Sequence, residues 1–148
     1  NVMLDLEGVP LEELPLVRLY SELLLELGTS TMDVVGLQRA IGARTGGLST
    51  SMLYEQPVGE GGALADPLEA VCKLGVSGKA TLERAEELLD LMHAVLSDAA
   101  LDAAPSQAKA IEVLRESKAY LESSLVSSGS SYASQRLSAR ESLVGYIG

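Results

Sequence analysis

Residues 14–54 read LPLVRLYSELLLELGTSTMDVVGLQRAIGARTGGLSTSMLY, and this stretch sets the architecture of the chain. It predicts a helix, a Gly-Thr break, a second helix, a Gly-Gly turn and a strand. The first helix is expected to begin at Leu11 and to end at Gly28, a left-handed C-terminal residue. Its broad apolar face consists of Leu16, Leu19, Tyr20, Leu23, Leu24 and Leu27, and its polar stripe of Arg18, Glu22 and Glu26. So narrow a polar stripe predicts that the helix is covered on most of its circumference.

The second half of the stretch carries its own boundary signals. Ser30, with Asp33 three residues later, resembles a capping box, although Asp replaces the usual Glu or Gln. The helix that follows is expected to end at Thr45-Gly46-Gly47, and its apolar residues are Val34, Val35, Leu37 and Ile41. Residues 48–54 then alternate, with one face of a half-buried strand formed by Leu48, Thr50, Met52 and Tyr54.

Outside this stretch the pattern predicts two more strands. Residues 2–9 alternate and indicate a short strand that Pro10 ends. Residues 55–67, rich in Gly and Pro, are expected to form a long mobile loop. A clear strand follows over residues 68–77, with an inward face of Leu68, Ala70, Cys72, Leu74 and Val76.

Three further helices are expected in the second half. One begins near Thr81 and carries Leu82, Ala85, Leu89, Met92 and Leu96. Pro105 opens a long helix, whose predicted inner face is Ile111, Leu114, Leu121 and Leu125. After a Ser-Gly break the last helix runs from Tyr132 through Val144. The element order predicts one α+β domain over residues 1–148, with helices packed on one face of an antiparallel sheet.

Composition excludes several classes of function. The chain has 148 residues, 3% aromatic residues, no Phe or Trp and a net charge of −10. Such acidity opposes binding to nucleic acids and anionic membranes. It leaves open either an attraction for basic peptides or a merely solubilising surface. No apolar run reaches the roughly 18 residues of a membrane span.

Groups able to perform chemistry are scarce. Cys72 is the single cysteine, and its apolar strand pattern predicts a buried structural thiol. His93 is the single histidine, so a zinc site of the usual ligand number is not expected. Gly78-Lys79 fails as a phosphate-binding loop because Lys73 and Ala80 stand where the motif needs Gly and Ser or Thr. The prediction is therefore no catalytic, cofactor-binding or metal-binding residue in this segment.

The helix–Gly-Thr–helix–Gly-Gly–strand unit of residues 14–51 resembles the pitrilysin/insulinase superfamily of zinc metallopeptidases. In the catalytic copy of that unit the first helix carries H-x-x-E-H, whose histidines bind zinc and whose Glu activates water. Counted back from Gly28-Thr29, the corresponding positions here are Leu19, Tyr20, Ser21, Glu22 and Leu23. Leucine stands at both ligand positions, so the resemblance implies a non-catalytic copy.

Three segments together are similar to the presequence protease branch of that superfamily, in the third of its four homologous domains. They are LPLVRLYSELLLELGT, LQRAIGARTGGLS and SSGSSYASQRLSA. The resemblance implies a structural part of a peptide-degrading chamber, with zinc in the N-terminal half of the parent enzyme. It also implies peptide substrates, the remaining peptidase domains as partners, and a mitochondrial matrix or plastid stroma location.

The same resemblance implies that the chain is a truncated fragment, because the family domain continues into at least one more strand. Two alternatives stay open. One is a purely structural relative, such as a respiratory-complex core subunit or a non-catalytic processing-peptidase subunit. The other is an independent binding module.

Overall fold

A computed structural model of the protein describes residues 1–63 and 66–147. Its strands are β1 (Val2–Asp5), β2 (Leu48–Glu55) and β3 (Val71–Gly78). Its α-helices are α1 (Leu14–Leu23), α2 (Val34–Arg44), α3 (Ala85–Ser97), α4 (Ala104–Ser124), α5 (Gly129–Glu141) and α6 (Leu143–Ile147). Short 3₁₀ turns cover Leu11–Glu13, Glu60–Gly62 and Leu82–Arg84.

The three strands form one antiparallel sheet in the order β1-β3-β2. Val2 lies opposite Val76 in the first pair, and Leu48 lies opposite Gly78 in the second. The α+β class and the antiparallel sheet are therefore confirmed.

Helices pack on the face of the sheet that carries the apolar alternation of β3. Cys72, Leu74 and Val76 are buried there, as their spacing predicts. The Thr50 hydroxyl of β2 donates a 2.7 Å hydrogen bond to the carbonyl oxygen of Ser21 in α1. The core between sheet and helices is formed by Leu24, Leu37, Ile41, Leu74, Leu91 and Val95.

The expected end of the first helix at Gly28 is wrong, because α1 ends at Leu23; Gly28 is required in the following turn for a reason other than a left-handed backbone. Its φ is not positive; among the described residues only Gly47, Gly61 and Gly62 have positive φ. A Cβ at position 28 would collide with the carbonyl oxygen of Met32. The requirement for glycine is therefore a close approach of two backbone segments.

The capping box is also wrong in detail. Asp33 is the N-cap of α2, and its Oδ1 accepts a 2.7 Å hydrogen bond from the Gly36 amide. Ser30 lies outside the helix and donates to Oδ2 of Asp98 at 2.6 Å. The predicted end of α2 at Thr45 is confirmed.

Two strands are shorter than expected because side chains next to them form turns. The Glu7 amide donates to Oδ1 of Asp5, and β1 ends at Asp5 rather than Val9. The Leu68 amide donates to Oδ1 of Asp66. That Asx-type turn delays β3 to Val71 and leaves Leu68 exposed. The expected mobility of loop 55–67 stays a prediction, and its residues 64 and 65 lie outside the described residues.

The predicted apolar face of α3 is right only in part, and that of α4 is wrong. Leu82 is 93% exposed because it lies in the 3₁₀ turn before α3, and Leu89 also faces outward. The predicted Met92 is buried, together with Leu91 and Val95, which the pattern did not indicate. In α4 the only buried residue is Ser106, and the predicted inner face of Ile111, Leu114, Leu121 and Leu125 is exposed.

The expected last helix is divided at Ser142. α5 begins at Gly129 rather than Tyr132, and Ser142 has extended backbone angles. The Leu143 amide bonds the carbonyl oxygen of Pro67 at 2.8 Å instead of a carbonyl in its own helix. This contact ties α6 to the segment before β3. In the part of the chain that the structure describes, no helix has the length and apolarity needed to cross a membrane.

Candidate functional site

The helix that corresponds to the zinc-binding helix of the resembled family is α1. Pro15 occupies its first turn, where a missing amide hydrogen costs nothing. Leu14, Ser21 and Leu23 are its buried residues. Packing of this helix on β2 determines which side chains of Leu19–Leu23 face the core.

The two positions that correspond to zinc ligands lie in apolar surroundings. Leu23 is buried, with 6% of its surface exposed, and Leu19 is half-buried. Leu24 and Leu27, which follow within one turn, are fully buried. A leucine side chain has no atom that can coordinate a metal, so position 23 contributes to packing alone.

Glu22 points away from this packed side. Its Oε1 lies 3.7 Å from Nε of Arg18, and both side chains are about half exposed. An exposed i, i+4 pair of this kind contributes little to stability, because water screens both charges. The pair leaves Glu22 as part of the predicted polar stripe.

A shallow polar hollow of about 330 Å³ lies beside this ion pair, between α1 and β2. It is lined by Arg18, Ser21, Glu22, Thr50, Ser51, Met52 and Tyr54. Partial burial raises the pKa of Tyr54, while the nearby Arg18 charge lowers it by a smaller amount. The Tyr54 phenol therefore stays protonated at neutral pH and can serve as a hydrogen-bonding group of the hollow.

The remaining sequence candidates do not converge on this hollow. His93 is exposed on α3, with Nδ1 3.4 Å from the Ser97 hydroxyl of the same helix. Over residues 1–63 and 66–147, no three His, Cys, Asp or Glu side chains are grouped in a way that could hold a metal ion.

Cys72 lies in the central strand β3 and is buried, as predicted. Burial is the larger cause that raises the pKa of its thiol, and the carboxylate of Asp5 on β1 adds to the effect. A thiol held neutral in this way is a weak nucleophile.

Gly78-Lys79 has a structural role in this fold. A Cβ at Gly78, the last residue of β3, would collide with the Leu88 side chain of α3. Lys79 pairs through its backbone with the Gly-Gly turn: its carbonyl accepts from Gly46 and its amide donates to Gly47. The turn of RTGGLS is thus held to the end of the central strand.

The polar hollow itself was missed by sequence reasoning. The Arg18–Glu22 pair follows from i, i+4 spacing. Thr50 and Tyr54 join it only because β2 packs beside α1, and no local signal indicates that contact.

Comparison with known proteins places these features in a family. The family described as "Peptidase M-16C associated" matches residues 1–148. The chain is 31% identical over 147 residues to presequence protease 1, chloroplastic/mitochondrial, of Arabidopsis thaliana. That alignment covers 99% of this chain and 13% of the relative, so the chain spans about an eighth of the relative's length.

Proposed function

The chain belongs to the peptidase M-16C associated family, and we propose from this membership that it is a non-catalytic structural domain of a larger zinc metalloendopeptidase resembling presequence protease. In this proposal residues 1–148 are a single domain that forms part of the wall of a peptide-degrading chamber. The parent enzyme degrades targeting peptides and other short peptides in mitochondria or plastids. Its partners are the remaining domains of the same peptidase.

The observation that carries the non-catalytic role is the burial of Leu23. A zinc ligand must present a lone pair to an open coordination position, whereas Leu23 fills the interior beside Leu24. The Glu22 carboxylate, which in the catalytic motif would activate water, pairs instead with Arg18 on the exposed side of α1. Zinc chemistry is accordingly assigned to the N-terminal half of the parent enzyme.

Metal content tests this assignment directly. We expect one zinc per full-length chain and no stoichiometric zinc in residues 1–148 alone, measured by plasma mass spectrometry after dialysis. One tightly bound zinc per isolated chain would overturn the proposed role of Leu19 and Leu23.

A matched pair of carboxylate variants tests the catalytic role. Glu22→Gln in the full-length enzyme is expected to leave peptide hydrolysis unchanged, because an ion-paired surface carboxylate takes no part in proton transfer. The control is the same change in the upstream H-x-x-E-H, where loss of the general base should cost about 10²- to 10⁴-fold. Loss of hydrolysis in Glu22→Gln with zinc retained would contradict the proposal, and a parent without any H-x-x-E-H would favour a purely structural relative.

The net charge of −10 supports a second element of the proposal, an electrostatic preference for basic peptides. Neutralising exposed carboxylates of this domain in the full-length enzyme should lower kcat/KM for basic peptides more than for neutral ones. The difference should shrink at high ionic strength. Equal kcat/KM ratios before and after neutralisation would remove charge attraction from the mechanism.

A further inference from the structure

The α4 helix carries an apolar stripe that no part of the described chain covers. Its residues Ile111, Leu114, Leu121 and Leu125 are each about half exposed, although burial stabilises apolar side chains of this size. A contiguous exposed patch of this kind indicates an interaction surface.

The spacing of the stripe is that of a helix–helix seam. Ile111, Leu114, Leu121 and Leu125 occupy a, d, d and a positions of a heptad, and Lys118 occupies the a position between them. A single lysine at such a position specifies register and partner at some cost in stability. The seam therefore predicts a helical partner.

The stripe faces away from the body of the protein. α4 contacts the body through the buried Ser106 and through Lys109, whose Nζ lies 3.7 Å from Oε2 of Glu26 near α1. At about 100° of rotation per residue, the centre of the stripe lies about 160° around the helix from Lys109 and about 100° from Ser106. Helices α1 to α3 are thus on the wrong side to cover it.

The groove beside the stripe has a wall from α5. The Tyr132 hydroxyl is 2.7 Å from the Ser124 hydroxyl and fixes α5 against the end of α4. Between them lies an open hollow of about 490 Å³. It is lined by Leu114, Ser117, Lys118, Leu121, Glu122, Leu125 and Tyr132.

We propose that this groove binds an amphipathic helix from another part of the same longer polypeptide, with a carboxylate placed opposite Lys118. The proposal rests on the proposed function, in which these 148 residues are one domain of a larger peptidase. It adds the surface through which the domain joins a neighbouring one and the chemistry of the partner segment.

The position of Lys118 argues against a second copy of the chain as the occupant. Lys118 is the midpoint of the stripe from Ile111 to Leu125. A symmetric pair that covers the whole stripe, parallel or antiparallel, would therefore bring two Lys118 ammonium groups together in an apolar seam. Lys118 already lies 3.8 Å from Oε1 of Glu122 one turn along α4, but both side chains are largely exposed, so that pair is weak. Like charges so placed still oppose association, whereas a carboxylate on a different helix would give Lys118 a second partner.

The relative leaves ample chain for such a partner, since about seven eighths of its length lies outside the matched region. A partner in the same polypeptide also needs only a modest interface, because a tethered segment has a high effective concentration.

Thiol labelling of the full-length protein tests the proposal. Leu121→Cys is compared with Leu82→Cys, which replaces a leucine that is 93% exposed and lies outside the stripe. Both are made with other reactive thiols removed, and the rate of maleimide labelling is measured. We expect position 121 to label at least about tenfold more slowly than position 82, since closing a contact worth about 1.4 kcal/mol suppresses the open form tenfold. Lys118→Glu in the Leu121→Cys background should restore fast labelling by repelling the partner carboxylate.

Equal labelling at positions 121 and 82 would overturn the proposal. Protection at 121 that disappears on dilution, together with a dimeric mass by light scattering, would replace the proposed segment by a second copy. Zinc content of the full-length protein reports on the proposed function independently of either labelling result.

Discussion

At the scale of single residues, two glycines show how different their requirements are. A Cβ at Gly28 would collide with the Met32 carbonyl oxygen, whereas a Cβ at Gly42 in α2 meets no atom within contact range. Gly28→Ala should lower the free energy of unfolding by about 1–3 kcal/mol through overpacking. Gly42→Ala should raise it by about 0.5–1 kcal/mol through better helix propensity. Urea unfolding of both variants checks this pair, and a Gly28→Ala variant as stable as the parent chain would contradict it.

Cys72 should make stability depend on alkaline pH. Its pKa is raised in the folded state, first by burial and then by Asp5. The native state therefore keeps a proton that the unfolded chain releases. The resulting stability is fully present below the thiol's unfolded pKa, about 8.5, and is lost as pH rises through the folded pKa.

The measurement is urea unfolding from neutral pH to well above the unfolded pKa of the thiol. The free energy of unfolding should fall as pH rises above about 8.5. Cys72→Ala should make that fall smaller, although the lost packing should lower stability at every pH. Tyr54, whose pKa is raised in the same direction by burial, should account for a remaining decline at higher pH. Parallel pH profiles for Cys72→Ala and the parent chain would show that the thiol is not linked to folding.

At the scale of secondary-structure elements, the start of α2 shows that Ser30 and Asp33, which the sequence pattern groups in one capping box, have different partners. Asp33 accepts the Gly36 amide, and Ser30 binds Asp98 near the end of α3. Asp33→Ala should lower the free energy of unfolding by about 0.5–2 kcal/mol, since the Gly36 amide loses its acceptor at the helix N-terminus. Ser30→Ala should cost less, because the Ser30 hydroxyl binds the Asp98 side chain and satisfies no helix amide. Thermal unfolding of the two variants decides which residue is the cap; a larger loss for Ser30→Ala would reverse the assignment.

At the scale of the whole molecule, the sheet has two outer strands. In the described residues β1 and β2 each pair with β3 on one side only, and Met3 and Leu4 of β1 are substantially exposed. Exposed apolar edges favour strand pairing between molecules. The isolated chain should therefore form concentration-dependent oligomers.

Light scattering over a wide concentration range measures this association. Met3→Lys should suppress it, because lysine on an edge strand opposes edge-to-edge pairing. The control Leu82→Lys, also at an exposed apolar residue but away from the sheet, should leave it unchanged. A monodisperse monomer at all concentrations would contradict the prediction.

Local patterns in the sequence were sufficient to predict most helices and strands and to show that leucines replace the histidines of the H-x-x-E-H motif. Apolar periodicity placed the main helices and strands, and the spacing to Gly28-Thr29 placed leucines at positions 19 and 23. These signals depend on neighbours a few residues away, so they survive without knowledge of the fold.

The buried faces, by contrast, were settled by tertiary packing. In α3 it buries Leu91 and Val95 rather than Leu89, and within the described residues it leaves the α4 stripe uncovered. Packing also brings Thr50 to the hollow beside Glu22. Burial and close approach depend on the partner surface, which lies far away in the sequence, so local periodicity cannot specify them.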